Sequence, residues 1–230
     1  MRRALHVLHS DNHLLVVLKP AGLPTVPDAS GDESLLDIAR EWVRAEFEKP
    51  GAVFLGVVQR LDRPVSGVIA FARTSKAASR LSAQWKARST RKVYWGVGLG
   101  RPAASTGECE QWLLKDSLRN RVEVVARERA QAQQAITRWR VLEEKRGRTL
   151  YELVPRTGRP HQLRVCAATL GTPLLGDLKY GAREPLADAS IALHARQLEF
   201  DHPTRGERLC FVAPPPTGEA WEFAACHAPR

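Results

Sequence analysis

Apolar positions in this chain fall mostly in short runs separated by turn residues, with three stretches of helical spacing between them. Residues 5–8 and 14–18 predict two strands joined through Ser10-Asp11-Asn12. Lys19-Pro20-Ala21-Gly22-Leu23-Pro24 stops the second, and Lys19 reads as a solvated strand end. Ser34 is placed to cap a helix in which Leu35, Ile38, Trp42 and Val43 recur at helical spacing. Residues 53–58 and 68–72 predict two short buried strands on either side of a turn made by Pro64, Ser66 and Gly67. Thr74-Ser75 then offers an N-cap to a helix over 76–88, apolar at Ala77, Ala78, Leu81 and Trp85 and basic at Arg80, Lys86 and Arg88.

Residues 90–97 alternate as a strand, with Val93, Trp95 and Val97 on one face and Lys92 and Tyr94 on the other. Four further strands are expected over 109–114, 121–125, 135–142 and 149–154. In the third, Ile136-Thr137-Arg138-Trp139-Arg140-Val141 interleaves arginine with tryptophan, which suits an antiparallel sheet with one wet, cationic face. Thr157 or Gly158 precedes a helix with Pro160 in its first turn and Gly171 at its end. Leu163, Cys166, Ala167 and Leu170 form its buried face, leaving His161 and Arg164 on another side. A Gly/Pro-punctuated loop over 171–181 and strands over 192–200 and 208–212 close the chain. No internal repeat or low-complexity linker is present, so 230 residues suit one large domain or two tightly joined halves.

Hydrophobic residues make up 43% of the sequence, enough for a sizeable core, yet no run approaches the ~18 apolar residues of a membrane span. Met1-Arg2-Arg3-Ala4-Leu5-His6 lacks the apolar stretch of a secretion signal, so a cytoplasmic protein is expected. Four scattered cysteines without a Cys-x-x-Cys pair indicate neither a zinc site nor a disulfide framework, and buried free thiols are expected. Charge is the informative quantity. Residues 51–164 hold 23 Lys/Arg against nine Asp/Glu, a net of +14, whereas the flanking stretches are each slightly acidic at six against eight. Arginine supplies 27 of the 35 basic residues, and its planar fork suits phosphate and stacks on bases. That concentration points to a polyanion partner, nucleic acid above all.

Two stretches carry candidate chemistry. Gln59-Arg60-Leu61-Asp62-Arg63 sets one carboxylate between two arginines at a strand–turn junction, which in isolation reads as a structural ion pair. Arg156, Arg159 and Arg164 converge with a helix N-terminus on one anion-sized spot, where His161 caps or hydrogen-bonds. Tyr94, taken by itself, reads as strand packing.

Together these blocks resemble the RluA-type pseudouridine synthases. That family shows a His-Arg-Leu-Asp…Ser-Gly block, matched here by Gln59-Arg60-Leu61-Asp62 and Ser66-Gly67. Its Lys-x-Tyr strand is matched at Lys92 and Tyr94, and its Thr-Gly-Arg-x-His-Gln-Leu-Arg helix at 157–164. A Gly-Asp…Tyr-Gly loop (Gly176-Asp177, Tyr180-Gly181), Ala192-Leu193-His194-Ala195, and His202-Pro203 with Ala213-Pro214 follow in the family's order. The opening Asp11-Asn12-His13-Leu14-Leu15-Val16-Val17-Leu18-Lys19-Pro20-Ala21-Gly22 is similar too, so the resemblance covers nearly the whole chain. Two positions depart from it: Gln59 stands where His is usual, and Val65 where Thr is common.

The resemblance implies an α+β fold, a mixed and mainly antiparallel sheet in two halves around a central basic cleft. It implies one catalytic domain over 1–230, with no room for the S4-like RNA-binding domain that many relatives carry at the N-terminus. By it, Asp62 is the essential aspartate, Tyr94 the active-site tyrosine, Arg164 the basic residue paired with the aspartate, and Arg60 the arginine beside the flipped nucleotide. Arg63, Lys92, Arg156, Arg159 and His161 are further candidates for holding RNA. The reaction breaks the C1′–N1 bond, rotates uracil and rejoins it through C5. Nothing is oxidised and the base stays in the site, so neither cofactor nor metal is called for. Asp62 could attack C1′, attack C6 of uracil or remove the C2′ proton, and each route needs an ionised, positioned carboxylate. Tyr94 would take the C5 proton after reattachment. A uridine inside a stem must be flipped out, with arginines tracking the phosphates. The expected partner is a ribosomal or transfer RNA stem-loop, acted on by a monomer without a membrane or an obligate protein partner. The rival is a catalytically silent RNA-binding protein on the same fold, for which Gln59 is the support.

Overall fold

The structure is a computed structural model describing residues 4–227, so the charged start at Met1–Arg3 lies outside the described residues. In chain order it runs β1 (His6–Ser10), β2 (Leu14–Lys19), α1 (Leu35–Glu46), β3 (Gly56–Val57), β4 (Ser66–Ala72), α2 (Ser75–Ala87) and β5 (Arg91–Leu99). Then come β6 (Thr106–Asp116), β7 (Arg121–Val124), β8 (Gln133–Lys145), β9 (Arg148–Pro155), α3 (Gln162–Thr169), β10 (Leu193–Asp201), β11 (Arg208–Val212) and the short α4 (Ala224–His227). The fold is α+β, and its strand pairings are antiparallel throughout the ladders described here. No described helix is long and apolar enough to cross a membrane. The chain divides into two compact units, Met1–Arg91 with Ala195–Ala213, and Lys92–His194 with Pro214–Arg230.

In the first unit β4 is the central strand, buried along its whole length. Along one edge it pairs with β2 in a register that sets Leu14 opposite Ala72 and Lys19 opposite Gly67. The other edge is shared between β10 and β3. That sharing explains why the strand expected over 53–58 shrinks to Gly56–Val57, with Phe54 and Val57 exposed. Helices α1 and α2 begin where their caps predict: Ser34 forms a full capping box with Asp37, and the Thr74 side chain accepts from the Ala77 amide. Ala77 and Leu81 of α2 pack on Leu14, Val16, Val68, Ala70, Leu198 and Phe200, the apolar face of this sheet. The Asp11 carboxylate ends the β1–β2 turn, accepting from the His13 and Leu14 amides at 2.7 and 2.8 Å. It also meets His202 Nε2 at 2.8 Å. Burial opposes ionisation of Asp11, but those hydrogen bonds outweigh it and hold the carboxyl well below the usual range.

In the second unit the strands lie in the antiparallel order β5-β9-β8-β6-β7, two hairpins (β8–β9 and β6–β7) side by side next to β5. Val97 and Leu150, neighbours in the β5–β9 pair, pack under Ala220, Trp221 and Phe223. On the opposite face Leu113, Val122 and Ala135 pack against Val165 of α3 and Tyr180. The β8 arginines do not make the wet face cationic as expected. Arg138 sits opposite Glu108 and Arg140 opposite Glu152, with Nε–carboxylate distances of 3.0 and 2.8 Å. Each arginine is therefore answered by an acid on the neighbouring strand. The thiols are free, yet only Cys166 among the described cysteines is buried. Cys109 and Cys226 are half-buried and Cys210 is exposed, because strand alternation and chain position, not residue type, decide their exposure.

Gly67 is the tightest point of the first unit. Its φ is +128°, and a Cβ there would lie 2.4 Å from the Ala195 backbone nitrogen. The turn expected at Ser66-Gly67 is instead the start of β4, where only a glycine lets β10 approach. Gly67→Ala should cost about 2 kcal/mol or more of folding stability in urea titrations, through a strained φ and a backbone clash. A cost under about 0.5 kcal/mol would mean the two strands can part without loss.

Candidate active site

In the first unit, the Asp62 segment is irregular chain held by its neighbours. Leu61 is buried and Asp62 half-buried, while Arg60 is exposed. The Leu61 amide donates to Thr25 Oγ1 at 3.2 Å, and the same hydroxyl donates to the Leu61 carbonyl at 2.8 Å. After Asp62, the Arg63 carbonyl accepts from the Gly22 amide at 2.9 Å and from Lys19 Nζ at 3.1 Å. The Val65 amide closes a turn onto the Asp62 carbonyl at 3.0 Å. The carboxylate thus projects from a peptide fixed on both sides. Arg63 turns back onto this support: its Nε donates to the Gly22 carbonyl at 3.1 Å, and its guanidinium also meets Ser30 and Asp32.

Lys19 overturns its reading as a solvated strand end. Its side chain is fully buried, and Nζ donates to the carbonyls of Pro20, Leu23 and Arg63 at 3.0, 2.6 and 3.1 Å. Strand register is the reason, since β2 ends opposite Gly67, where the chain folds over on itself at the turn after Asp62. Burial pulls the Lys19 pKa down to about 7; the Asp62 charge raises it and the Arg63 charge lowers it further.

In the second unit, the β5–β9–β8 register puts Tyr94 on the face that α3 covers. Tyr94 pairs with Leu153, Leu153 with Trp139, and Thr137 on that same face accepts from Gln162 Nε2 of α3. Tyr94 is half-buried there. Lys92, two residues earlier, is also half-buried, and a Cβ on Gly158 would sit 3.8 Å from its Nζ. Among the described residues that ammonium makes no hydrogen bond or ion pair, and burial lowers its pKa.

The loop before α3 is pinned to β8 by two polar side chains. Thr157 Oγ1 accepts from the Ile136 amide at 2.9 Å and donates to Gln162 Oε1 at 2.7 Å, and Gln162 Nε2 donates to the Ile136 carbonyl at 2.9 Å. The helix consequently starts later than expected, at Gln162, with His161 at φ 51° as its left-handed N-cap and Pro160 outside it. It is also buried all round, from Gln162 through Ala167, and not on one face.

The three arginines meant to share one anion have different fates. Arg156 is exposed, and Arg159 donates from Nε to the Gln134 carbonyl at 3.1 Å. Arg164 is 6% exposed and grips Asp177, itself 1% exposed, through two parallel bonds of 2.7 Å from Nε and Nη2. Its guanidinium carbon lies 5.0 Å from the Tyr180 ring centroid. The Tyr180 hydroxyl accepts from the Val122 amide at 2.8 Å and meets His161 Nδ1 at 2.7 Å. His161 is thereby fixed by Tyr180 and makes no side-chain bond capping the helix.

Thr25, Lys19, Asp177 and Tyr180, which the sequence pattern did not single out one by one, hold candidate-site residues or their neighbours in place. The Gly176-Asp177…Tyr180-Gly181 punctuation was the visible signal for the last two. No cluster of three or more metal-binding side chains occurs among the described residues. Asp177→Ala would leave the buried Arg164 guanidinium without that carboxylate. A loss of about 3–5 kcal/mol in chemical denaturation is the expected result, and a loss below about 1 kcal/mol would show the pair to be dispensable.

The sequence profile of the family described as RNA pseudouridylate synthase matches residues 13–169. The chain is 34% identical over 232 residues to "Ribosomal large subunit pseudouridine synthase D" of Pseudomonas aeruginosa, covering 94% of this chain and 70% of that protein. To "Dual-specificity RNA pseudouridine synthase RluA" of Escherichia coli it is 35% identical over 215 residues, 91% of this chain and 93% of the relative. Among solved structures, "Human RNA Pseudouridylate Synthase Domain Containing 4" superposes with a TM-score of 0.75 at 27% identity. That match covers 92% of this chain and 88% of the human one.

Proposed function

This chain belongs to the RNA pseudouridylate synthase family and is an enzyme that isomerises uridine to pseudouridine; from that premise we propose that Asp62 is the essential carboxylate and that the substrate is a uridine in structured ribosomal or transfer RNA. The observation that carries the reading is the support around Asp62. Peptide groups on both sides are hydrogen-bonded to Thr25, Gly22 and Lys19, while the carboxylate stays half-exposed. A reacting group held by its backbone in this way meets substrate with little reorganisation. The names of the relatives, one a large-subunit ribosomal enzyme and one of dual specificity, support the choice of RNA class.

Tyr94 is proposed as the acceptor of the C5 proton, a role suited to a half-buried hydroxyl-bearing ring. Arg164 serves through its buried pair with Asp177, which fixes the guanidinium in one orientation. Arg60 and Arg156 are exposed and available to phosphates, as is Lys92, whose ammonium beside Gly158 lacks a protein partner among the described residues. His161 and Arg159 shape the loop that carries these contacts, and Arg63, whose charge is met by Asp32, braces the turn through Gly22 and Ser30. We place all of these roles in one catalytic domain over the whole chain, working as a monomer in the cytoplasm.

Asp62→Asn keeps the shape of the side chain and removes its charge. Pseudouridine formation in RNA from cells lacking this gene should fall below detection, whereas RNA affinity by filter binding stays equal or rises, because a negative charge facing a polyanion has gone. Tyr94→Phe should slow turnover by about a hundredfold with affinity within about threefold. Substantial activity in Asp62→Asn would put the reacting carboxylate elsewhere. Wild-type protein that binds RNA but makes no pseudouridine in any ribosomal or transfer RNA would favour the silent-binder reading.

A further inference from the structure

We propose that residues 19–25 form a splint whose two pins, Lys19 and Thr25, are positioning residues for Asp62. The proposal rests on the reading of Asp62 as the essential carboxylate. Thr25 holds the residue before Asp62 through both of its peptide groups, as acceptor from the Leu61 amide and donor to the Leu61 carbonyl. Lys19 holds the residue after it, at the Arg63 carbonyl, while its other two protons tie down Pro20 and Leu23 in the same segment. Gly22 completes the grip by donating to that Arg63 carbonyl and accepting from Arg63 Nε.

Both pins are costly choices for a mere filler. Thr25 is 4% exposed and Lys19 is wholly buried. A buried ammonium persists only where its donors are satisfied, and here three carbonyls and the nearby Asp62 charge satisfy it against the opposing Arg63 charge. The arrangement links the two groups. An ionised Asp62 favours protonated Lys19, and protonated Lys19 has three donors for three carbonyls. Neutral Lys19 has two, so one carbonyl must go unanswered once the proton leaves. The window follows from the depressed pKa: the grip is complete below about pH 7 and weakens as pH rises through it. Stability has its own sign, since the unfolded chain binds the Lys19 proton more tightly. This group opposes folding below pH 7, and that penalty fades between about 7 and the ordinary lysine value.

The test uses the full chain in three variants, Lys19→Met, Thr25→Val and Asp62→Asn, with single-turnover rates at saturating substrate RNA and affinities by filter binding. Lys19→Met removes the cation and its donors; Thr25→Val keeps the shape and leaves the buried charge untouched, so it carries the test should Lys19→Met fold poorly. A displaced reacting group can cost up to about a hundredfold in rate. We expect single-turnover rates down by about a hundredfold in Lys19→Met and about tenfold in Thr25→Val, with affinity within about threefold of wild type. The ratio of wild-type to Lys19→Met rates should also shrink as pH is raised from 6 to about 9, which loss of packing would not produce. Rates within about threefold of wild type for both variants, while Asp62→Asn is inert, overturn the splint and leave the assignment of Asp62 standing. An active Asp62→Asn overturns both. Saturating rates near wild type with affinity lowered about tenfold or more also overturn the splint, by making residues 19–25 part of the binding surface.

Discussion

A single ammonium sets the geometry of the first unit's candidate site. β2 and β4 are buried, apolar and in fixed register, so the end of β2 is brought opposite Gly67 without any polar contribution. At that point the chain must leave the sheet twice, at Pro20 and again before Ser66, and each exit exposes carbonyls to the interior. Lys19 Nζ answers three of them at once. Removing those carbonyls from water is what makes the lysine necessary, and burying the lysine is what makes the acidic neighbour valuable. Asp62 is thus part of the electrostatic balance that allows its own support to exist.

The second unit solves the same problem with different chemistry. Its loop before α3 has no ladder to satisfy its backbone, so Thr157 and Gln162 act as surrogate partners for β8. Two hydrogen-bonded side chains force the chain into a left-handed residue at His161 and delay the helix by a turn. The delay matters because it turns Arg164 inward to Asp177. Bidentate pairing restrains the guanidinium far more than a monodentate contact would, and the Tyr180 ring at 5.0 Å closes another side. Rigid polar groups at both sites are supported by residues that do not themselves reach solvent.

What the sequence made legible follows from which forces are local. The caps Ser34 and Thr74, the alternation over 90–97 and the period-2 strands around it depend on neighbours two to four residues away, and the elements appear close to where they were expected. Asp62, Tyr94 and Arg164 stood out because their blocks resemble a family, not because spacing demanded them. The misses share one cause, which is distance along the chain. Lys19 is 44 residues from Arg63, and Thr25 is 36 from Leu61. Arg138 is 30 residues from Glu108, so its neutralisation could not be seen in an arginine–tryptophan alternation. Helix α3 read as amphipathic because Gln162 and Arg164 are polar, yet each is buried with a long-range partner.

The same long-range pairing changes the meaning of the positive charge. A net of +14 over residues 51–164 suggests a broad cationic surface, but charge that is answered by an acid within a few ångströms contributes little field at the distance of a phosphate. Arg63, Arg101, Arg138 and Arg140 are so answered by Asp32, Glu144, Glu108 and Glu152. Arg60, Arg156 and Lys92 make no ion pair among the described residues, and they lie in the Asp62 block, the loop before α3 and the Tyr94 strand. Lys76, Lys86, Arg88, Lys115 and Arg127 likewise make no ion pair among the described residues, so unanswered charge is spread over the chain and is removed only locally, where an arginine meets an acid across a strand pair. A polyanion is therefore attracted to the protein broadly, and the local geometry of hydrogen-bond donors, more than the net field, must select where it seats.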